Sequence, residues 1–208
     1  MAITGILLAA GRGRRFDATG KQHKLLAALP DGQTVAGASA RALRSALPQV
    51  IAVVAEDGPL ARVLAQHGCA VTVCADAGSG MAASLTHALR RAPGDASGWV
   101  IALADMPHVQ ALTVARLAEA VEAGADIAVP VYRGQRGNPV AFSAHHAARL
   151  LDLTGDQGAR ALLRTWPVLE VDTNDPGILR DIDYPEDLAA SAFIQRGEDA
   201  DHPGAEQS

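Results

Sequence analysis

The feature that most constrains this 208-residue chain is a change of hydrophobic period that repeats along its first two thirds. Near-continuous apolar runs of strand length occur at Ile3–Ala9, Val50–Ala55, Ala70–Cys74, Trp99–Ala104 and Ile127–Val131, the pattern of strands covered on both faces. Between them, Ala36–Leu47, Leu60–His67, Met81–Ala92 and Leu112–Ala123 carry apolar residues at three- and four-residue spacing, with Arg, Glu and Gln between, as amphipathic helices do. Strand and helix in strict alternation predict an α/β fold: a doubly wound, mostly parallel, Rossmann-like sheet with helices on both faces. About a fifth of the residues are Ala and 20 are Gly, so the core is built from small side chains. Gly68, Gly94, Gly98 and Gly124 fall near predicted helix ends, where left-handed caps are expected.

After Val131 the rhythm breaks. Residues 132–142 read as a turn leading to a short strand, with Pro139 suited to an edge or a strand start. Helices are expected at Ala144–Asp152 and Gly158–Thr165, a strand at Val168–Val171 and a last helix from Pro185. With no internal repeat and no long linker, we expect one domain over residues 1–195 and a disordered tail over 196–208, which is rich in Gly, Asp, Glu, His, Pro and Ser.

Charge and composition narrow the function. The net charge of -5 offers no basic field to a nucleic-acid backbone, and no 18-residue uncharged apolar run is present. Neither nucleic acid nor membrane is therefore an expected partner. The N-terminus lacks the charged region of a signal peptide and reads as an opening strand, so a cytoplasmic location is expected. Cys69 and Cys74 lie five apart in an extended segment, on opposite faces, and read as buried hydrophobes. The adjacent His145 and His146 read as a solvated helix turn.

Three groups of residues carry candidate chemistry. Directly after the first strand, the Gly/Arg-rich stretch from Leu8 to Phe16 occupies a turn at the carboxyl edge of the sheet, where ligands bind in open α/β folds. Gly11 and Gly13 let backbone N–H groups face phosphate oxygens, while Arg12, Arg14, Arg15, Lys21 and Lys24 supply positive charge. This is neither the Rossmann nor the P-loop fingerprint. Of the 18 basic residues only Lys21 and Lys24 are lysine. At the end of a buried apolar strand, Asp105 reads as a divalent-cation ligand or as a helix N-cap. Asp181 and Asp183 flank Ile182, so an extended backbone puts both carboxylates on one face; either is a candidate second carboxylate for a metal. Pro185 with Glu186 and Asp187 reads as a helix first turn.

Seven motifs then occur in a telling order: Leu8-Ala-Ala-Gly-x-Gly-x-Arg-Phe16, Lys24-Leu-Leu26, Gly80-Met-Ala-Ala-Ser-Leu85, Leu103-Ala-Asp-Met-Pro107, Arg136-Gly-Asn-Pro-Val-x-Phe142, Gly155-Asp-x-Gly-Ala-Arg160 and Asp181-Ile-Asp-x-Pro-Glu-Asp-Leu188. Over about residues 3–190 the chain resembles the molybdenum cofactor cytidylyltransferases, within the wider molybdopterin nucleotidyltransferases.

The resemblance implies a Mg²⁺-dependent enzyme that transfers NMP from an NTP to a phosphorylated acceptor and releases pyrophosphate. By motif, Arg15, Lys24 and Asp105 would be catalytic. Nucleotide binding would fall to Leu8, Ala9, Ala10, Gly11, Arg12, Gly13, Lys21, Gly80, Met81 and Ser84. Acceptor binding would fall to Arg136, Gly137, Asn138, Pro139, Gly155, Asp156 and Arg160, and metal binding to Asp105 and Asp183. Ala9-Ala10 is similar to the cytidylyl branch, which implies CTP; the implied acceptor is a pterin phosphate such as molybdopterin, and the implied partner a client molybdoenzyme. The seven residues between Phe16 and Lys24 exceed the common spacing and leave Lys21 competing with Lys24 for the phosphate role. Alternatives are guanylyl transfer from GTP, transfer to another small phosphorylated acceptor, and a non-catalytic accessory protein that hands a nucleotide or cofactor to a client.

Overall fold

A computed structural model describes residues 2–11, 13, 15–17, 23–155 and 158–189. Strands β1 (Ile3–Leu8), β2 (Gln49–Val54), β3 (Ala70–Val73) and β4 (Gly98–Leu103) are mutually parallel, in spatial order β3-β2-β1-β4. The sheet continues through β7 (Val140–Ser143) to β5 (Ile127–Tyr132) and its hairpin partner β6 (Gln135–Arg136), while β8 (Leu169–Asp172) lies parallel to β5. Strand β7 is antiparallel to both its neighbours. Pro139 thus stands just before a strand that is central, and its missing N–H removes no ladder bond from that strand.

Alternation along β1 divides the core. Ile3 and Leu7 join the cluster formed by helices α1 (Val35–Ala46), α2 (Pro59–Gln66) and α4 (Ala111–Glu122). Ile6 and Leu8 face the other cluster, where α3 (Met81–Leu89), α5 (Ala147–Leu151) and α6 (Leu162–Thr165) pack. The predicted two-faced α/β sheet is therefore the observed one. Cys69 and Cys74, both buried and free, belong to opposite clusters; burial pushes the Cys69 thiol up to about 11. Among the described residues no helix is long and apolar enough to cross a membrane.

Some local expectations give way. Gly68 and Gly124 have positive φ as caps, whereas Gly98 opens β4, where a Cβ would meet the Phe142 carbonyl oxygen across the ladder. His145 is solvated, but His146 is 1% exposed and lies edge-on between Phe142 and Trp166. The predicted helices at Ala144–Asp152 and Gly158–Thr165 each begin as a 3-10 turn, at Ala144–His146 and Gly158–Ala161. Residues 185–189 are helical, and the tail from 190 onward lies outside the described residues.

Candidate active site

The parallel pairing of β1 with β4 puts Leu8 beside Leu103, so the loop after β1 and the turn carrying Asp105 leave the sheet side by side at its carboxyl edge. Ala104 is fixed from both sides: its N–H donates to the Leu8 carbonyl at 3.1 Å and its carbonyl accepts from the Ser39 hydroxyl at 3.0 Å. Asp105 is thereby presented just past the strand end rather than used as a helix cap, since α4 begins at Ala111.

Lys24 opens a 3-10 turn, Lys24–Leu26, capped by His23, whose Nδ1 accepts from the Leu25 N–H. Its stem runs past Gly13, where a Cβ would come within 3.3 Å of the Lys24 Cβ, and Gly13 itself has a φ of 56°. The ammonium donates to Asp105 Oδ2 at 2.8 Å and to Asp183 Oδ1 at 3.0 Å. Burial alone would lower the Lys24 pKa, but hydrogen bonds and charge from these two carboxylates outweigh it and the pKa is raised. The Arg15 guanidinium, largely solvated, takes the other oxygen, Asp183 Oδ2, at 2.6 Å.

The acidic pair arrives from the far end of the chain. The Ile182 N–H donates to the Asp105 carbonyl at 2.8 Å, which splices residues 181–183 onto the β4 exit. Asp187 in the first turn of the following helix accepts from the Asp183 and Tyr184 N–H groups at 2.8 and 2.7 Å, the reach-back half of a capping box. Asp105, Asp181 and Asp183 each offer an oxygen within 4.8 Å of the others. Asp181 joins Asp183 rather than replacing it. Desolvation first and the Asp183 charge second hold the Asp181 carboxyl above its ordinary range. Asp105 Oδ1 is buried and, among the described residues, has no hydrogen-bond partner. Three hard carboxylate oxygens with one such orphan are a donor set that suits a divalent cation such as Mg²⁺ or Mn²⁺.

A cavity of about 480 Å³ opens beside this cluster, lined by Leu8, Ala10, Gly11, Gly13, Lys24 and Asp105 on one side and by Gly80, Met81 and Ser84 on the other. Gly80, with φ of 119°, turns the chain into α3, whose first residues thus face the loop after β1. Ala9 lies beneath, in a neighbouring cavity of about 420 Å³ that shares Ala10 and Gly11.

The residues expected to meet the acceptor divide. Asn138 and Arg160 line a small apolar cavity of about 50 Å³ with Leu8, Met81 and Leu103, against the wall of the larger one. Gly155 reaches the same region through its carbonyl, which accepts from Ala82 N–H at the start of α3 at 3.1 Å. Arg136 instead pairs with Glu170 of β8 at 2.7 Å, both half-exposed. Gly137 lies against Ile178 so closely that a Cβ would strike the Ile178 carbonyl oxygen, and Pro139 follows Asn138 into β7. Arg12, Arg14, Lys21 and Asp156 lie outside the described residues.

Sequence reasoning missed Ala77 and Gly78, which line both larger cavities from the 3-10 turn Ala75–Ser79. The Gly78-Ser79-Gly80 run was the available signal. It also missed Glu56 and His23 at the second cavity, which carry no motif.

Comparison with known proteins agrees with this geometry. Residues 5–171 match the MobA-like NTP transferase domain. Purine catabolism protein PucB of Bacillus subtilis (strain 168) is 33% identical over 200 residues, 89% of this chain and 93% of that protein. Rv0371c of Mycobacterium tuberculosis H37Rv is 32% identical with a TM-score of 0.76, covering 91% of this chain and 97% of its own. A structure of Rv0371c complexed with manganese gives 30% identity and a TM-score of 0.72, over 92% of this chain and 98% of that one. A nucleotidyl transferase from Methanothermobacter thermautotroptrophicus (Mth528) gives 26% identity and a TM-score of 0.79, over 94% of this chain and 99% of that one. With a glycine loop, a basic cluster and three carboxylates gathered at one sheet edge, and with the match running through nearly the whole sheet, the chain belongs to the MobA-like NTP transferases and is a nucleotidyltransferase.

Proposed function

We propose that the protein transfers CMP from CTP to the phosphate of molybdopterin or its molybdenum-bound form, releasing pyrophosphate, with Mg²⁺ as the working cation and a client molybdoenzyme as recipient of the product. The observation that supports this reading is the meeting of Lys24 and Asp105 with Ala10, Gly11, Gly80 and Ser84 around one cavity, against a wall shared with Asn138 and Arg160. In this reading the triphosphate lies along the Gly11–Gly13 backbone, with Lys24 and Arg15 neutralising its charge. Gly80, Met81 and Ser84 face the base and ribose, with Ala9 and Ala10 beneath them. Asn138 and Arg160 orient the acceptor, supported by the turns at residues 136–139 and 155–160. Arg12 and Lys21 join the phosphate set, and Asp156 the acceptor set.

The acceptor phosphate oxygen attacks the α-phosphorus, a new P–O bond forms, and the bond to the β-phosphate oxygen breaks with its electron pair leaving on pyrophosphate. No nucleophilic side chain is required; positioning and charge neutralisation carry the step. Asp105, Asp181 and Asp183 would hold the divalent cation, which supplies Lewis-acid neutralisation of the phosphate oxygens. The manganese complex of Rv0371c and the buried orphan oxygen of Asp105 support that assignment.

The test is to incubate the protein with Mg²⁺, each NTP in turn and molybdopterin, and to assay pyrophosphate. CTP should give the fastest release, dependent on both metal and acceptor. Release no faster with CTP than with GTP or ATP would refute the base assignment, and release independent of molybdopterin would refute the acceptor.

A further inference from the structure

We infer that Lys24 is a cation gate: in the nucleotide-free protein its ammonium closes the Asp105–Asp183 pair to a free divalent cation, and it yields those carboxylates only to a triphosphate. The inference rests on the metal site proposed above and adds the order in which that site fills.

Lys24 Nζ bridges Asp105 Oδ2 and Asp183 Oδ1 at 2.8 and 3.0 Å, and Arg15 occupies Asp183 Oδ2 at 2.6 Å. Three of the four oxygens of these two carboxylates therefore already contact a cation. The charges nearly balance, since Lys24 and Arg15 offset two of the three carboxylates of Asp105, Asp181 and Asp183. A dication added with Lys24 still seated would leave an excess of positive charge in a partly buried site, where such an excess is poorly screened. A triphosphate arriving in the adjoining cavity removes the conflict.

Geometry gives Lys24 somewhere to go. The same side chain that bridges the carboxylates lines the cavity with Gly11 and Gly13. Rotation of its flexible stem between staggered rotamers can carry the ammonium from carboxylate to phosphate. A compact point charge with three donors suits exchange between two oxygen sets, which a planar guanidinium does not. This accounts for a lysine at this position in a chain that uses Arg for sixteen of its 18 basic residues.

The test measures Mn²⁺ bound to nucleotide-free protein by electron paramagnetic resonance, without turnover. Loss of a charge-assisted hydrogen bond changes an equilibrium by about tenfold to a hundredfold. Lys24→Met should therefore bind Mn²⁺ at least about tenfold more tightly than the wild type, and Lys24→Met combined with Asp105→Asn should lose that gain. If Lys24→Met does not fold in metal-free buffer, Mn²⁺ added during refolding should restore the native circular dichroism, and the double variant should not respond. Equal Mn²⁺ affinity of Lys24→Met and wild type, or no rescue of an unfolded Lys24→Met, would overturn the gate. Binding that ignores Lys24 but is lost in Asp105→Asn would overturn the gate alone, whereas failure of every variant to bind Mn²⁺ would overturn the metal site with it.

Discussion

Asp175 Oδ2 accepts a hydrogen bond from the Thr113 hydroxyl at 2.6 Å, joining buried side chains 62 residues apart. The same oxygen accepts from the Gln110 N–H and Oδ1 accepts from the Gly177 N–H, both at 2.9 Å. One carboxylate thus ties the start of α4 to the turn Pro176–Leu179 that leads toward Asp181 and Asp183. Asp175→Ala leaves a hydroxyl and two N–H groups unpaired and should cost about 3 kcal/mol or more of stability. Urea unfolding is the measurement. A loss below about 1 kcal/mol would mean that water replaces the carboxylate.

Gly137 carries the second strut of the same turn. Its missing side chain lets the Asn138 N–H donate to the Ile178 carbonyl at 3.0 Å. Gly137→Ala drives a methyl into that backbone oxygen, which cannot swing away as a side-chain end would. We expect a destabilisation of about 1–3 kcal/mol, read as a lower thermal midpoint, with Gly134→Ala at a turn position open to solvent as a comparison for backbone strain alone.

At Asp105 the effect should fall on chemistry instead. Asp105→Asn keeps the shape and an acceptor for Lys24 but removes the charge next to the buried orphan oxygen. Pyrophosphate release should fall by about 10²–10³-fold in protein that still shows the native circular dichroism. A variant that turned over at the wild-type rate would remove Asp105 from the metal set.

The histidines give the pH dependence of stability one sign just below pH 6.5. His23, His87, His108 and His146 all have pKa values lowered, in each case by burial first. Below pH 6.5 the unfolded chain takes up protons that the folded one refuses, so the histidines make stability fall as pH drops from 6.5 through their lowered values. His146→Phe, which keeps a ring between Phe142 and Trp166, should flatten the decline of the urea midpoint between pH 7 and 5.5. The same slope in variant and wild type would show that His146 takes no part.

The parallel half of the fold was legible because both-face burial leaves unbroken apolar runs, as in Val50–Val54 and Gly98–Leu103. The central place of β7 was not, since four residues after a proline look alike at an edge or in the middle, and only the partners Trp99 and Ile127 distinguish them. Asp105 was legible because a carboxylate at the end of a buried strand demands a reason. That Asp181 shares the site with Asp183 was not, because an alternating pair states only that two side chains share a face. The Ile182 hydrogen bond to Asp105, which brings that face to the cluster, spans 77 residues of chain and leaves no local trace. Arg136 illustrates the converse: its motif is complete, yet its side chain is turned to Glu170, a contact set by the pairing of β5 with both β6 and β8.

The separation of 159 positions from Lys24 to Asp183 also sets a timetable. A chain growing on the ribosome completes β1, β2, β3 and β4, with Lys24 and Asp105, well before the second carboxylate is synthesised. Contacts this distant in sequence form late and slowly. A chain that ends before residue 181 therefore carries the glycine loop, Lys24 and Asp105 without the carboxylates of Asp181 and Asp183, and a product stalled there holds the phosphate-binding half of the site without its three-carboxylate cation cluster.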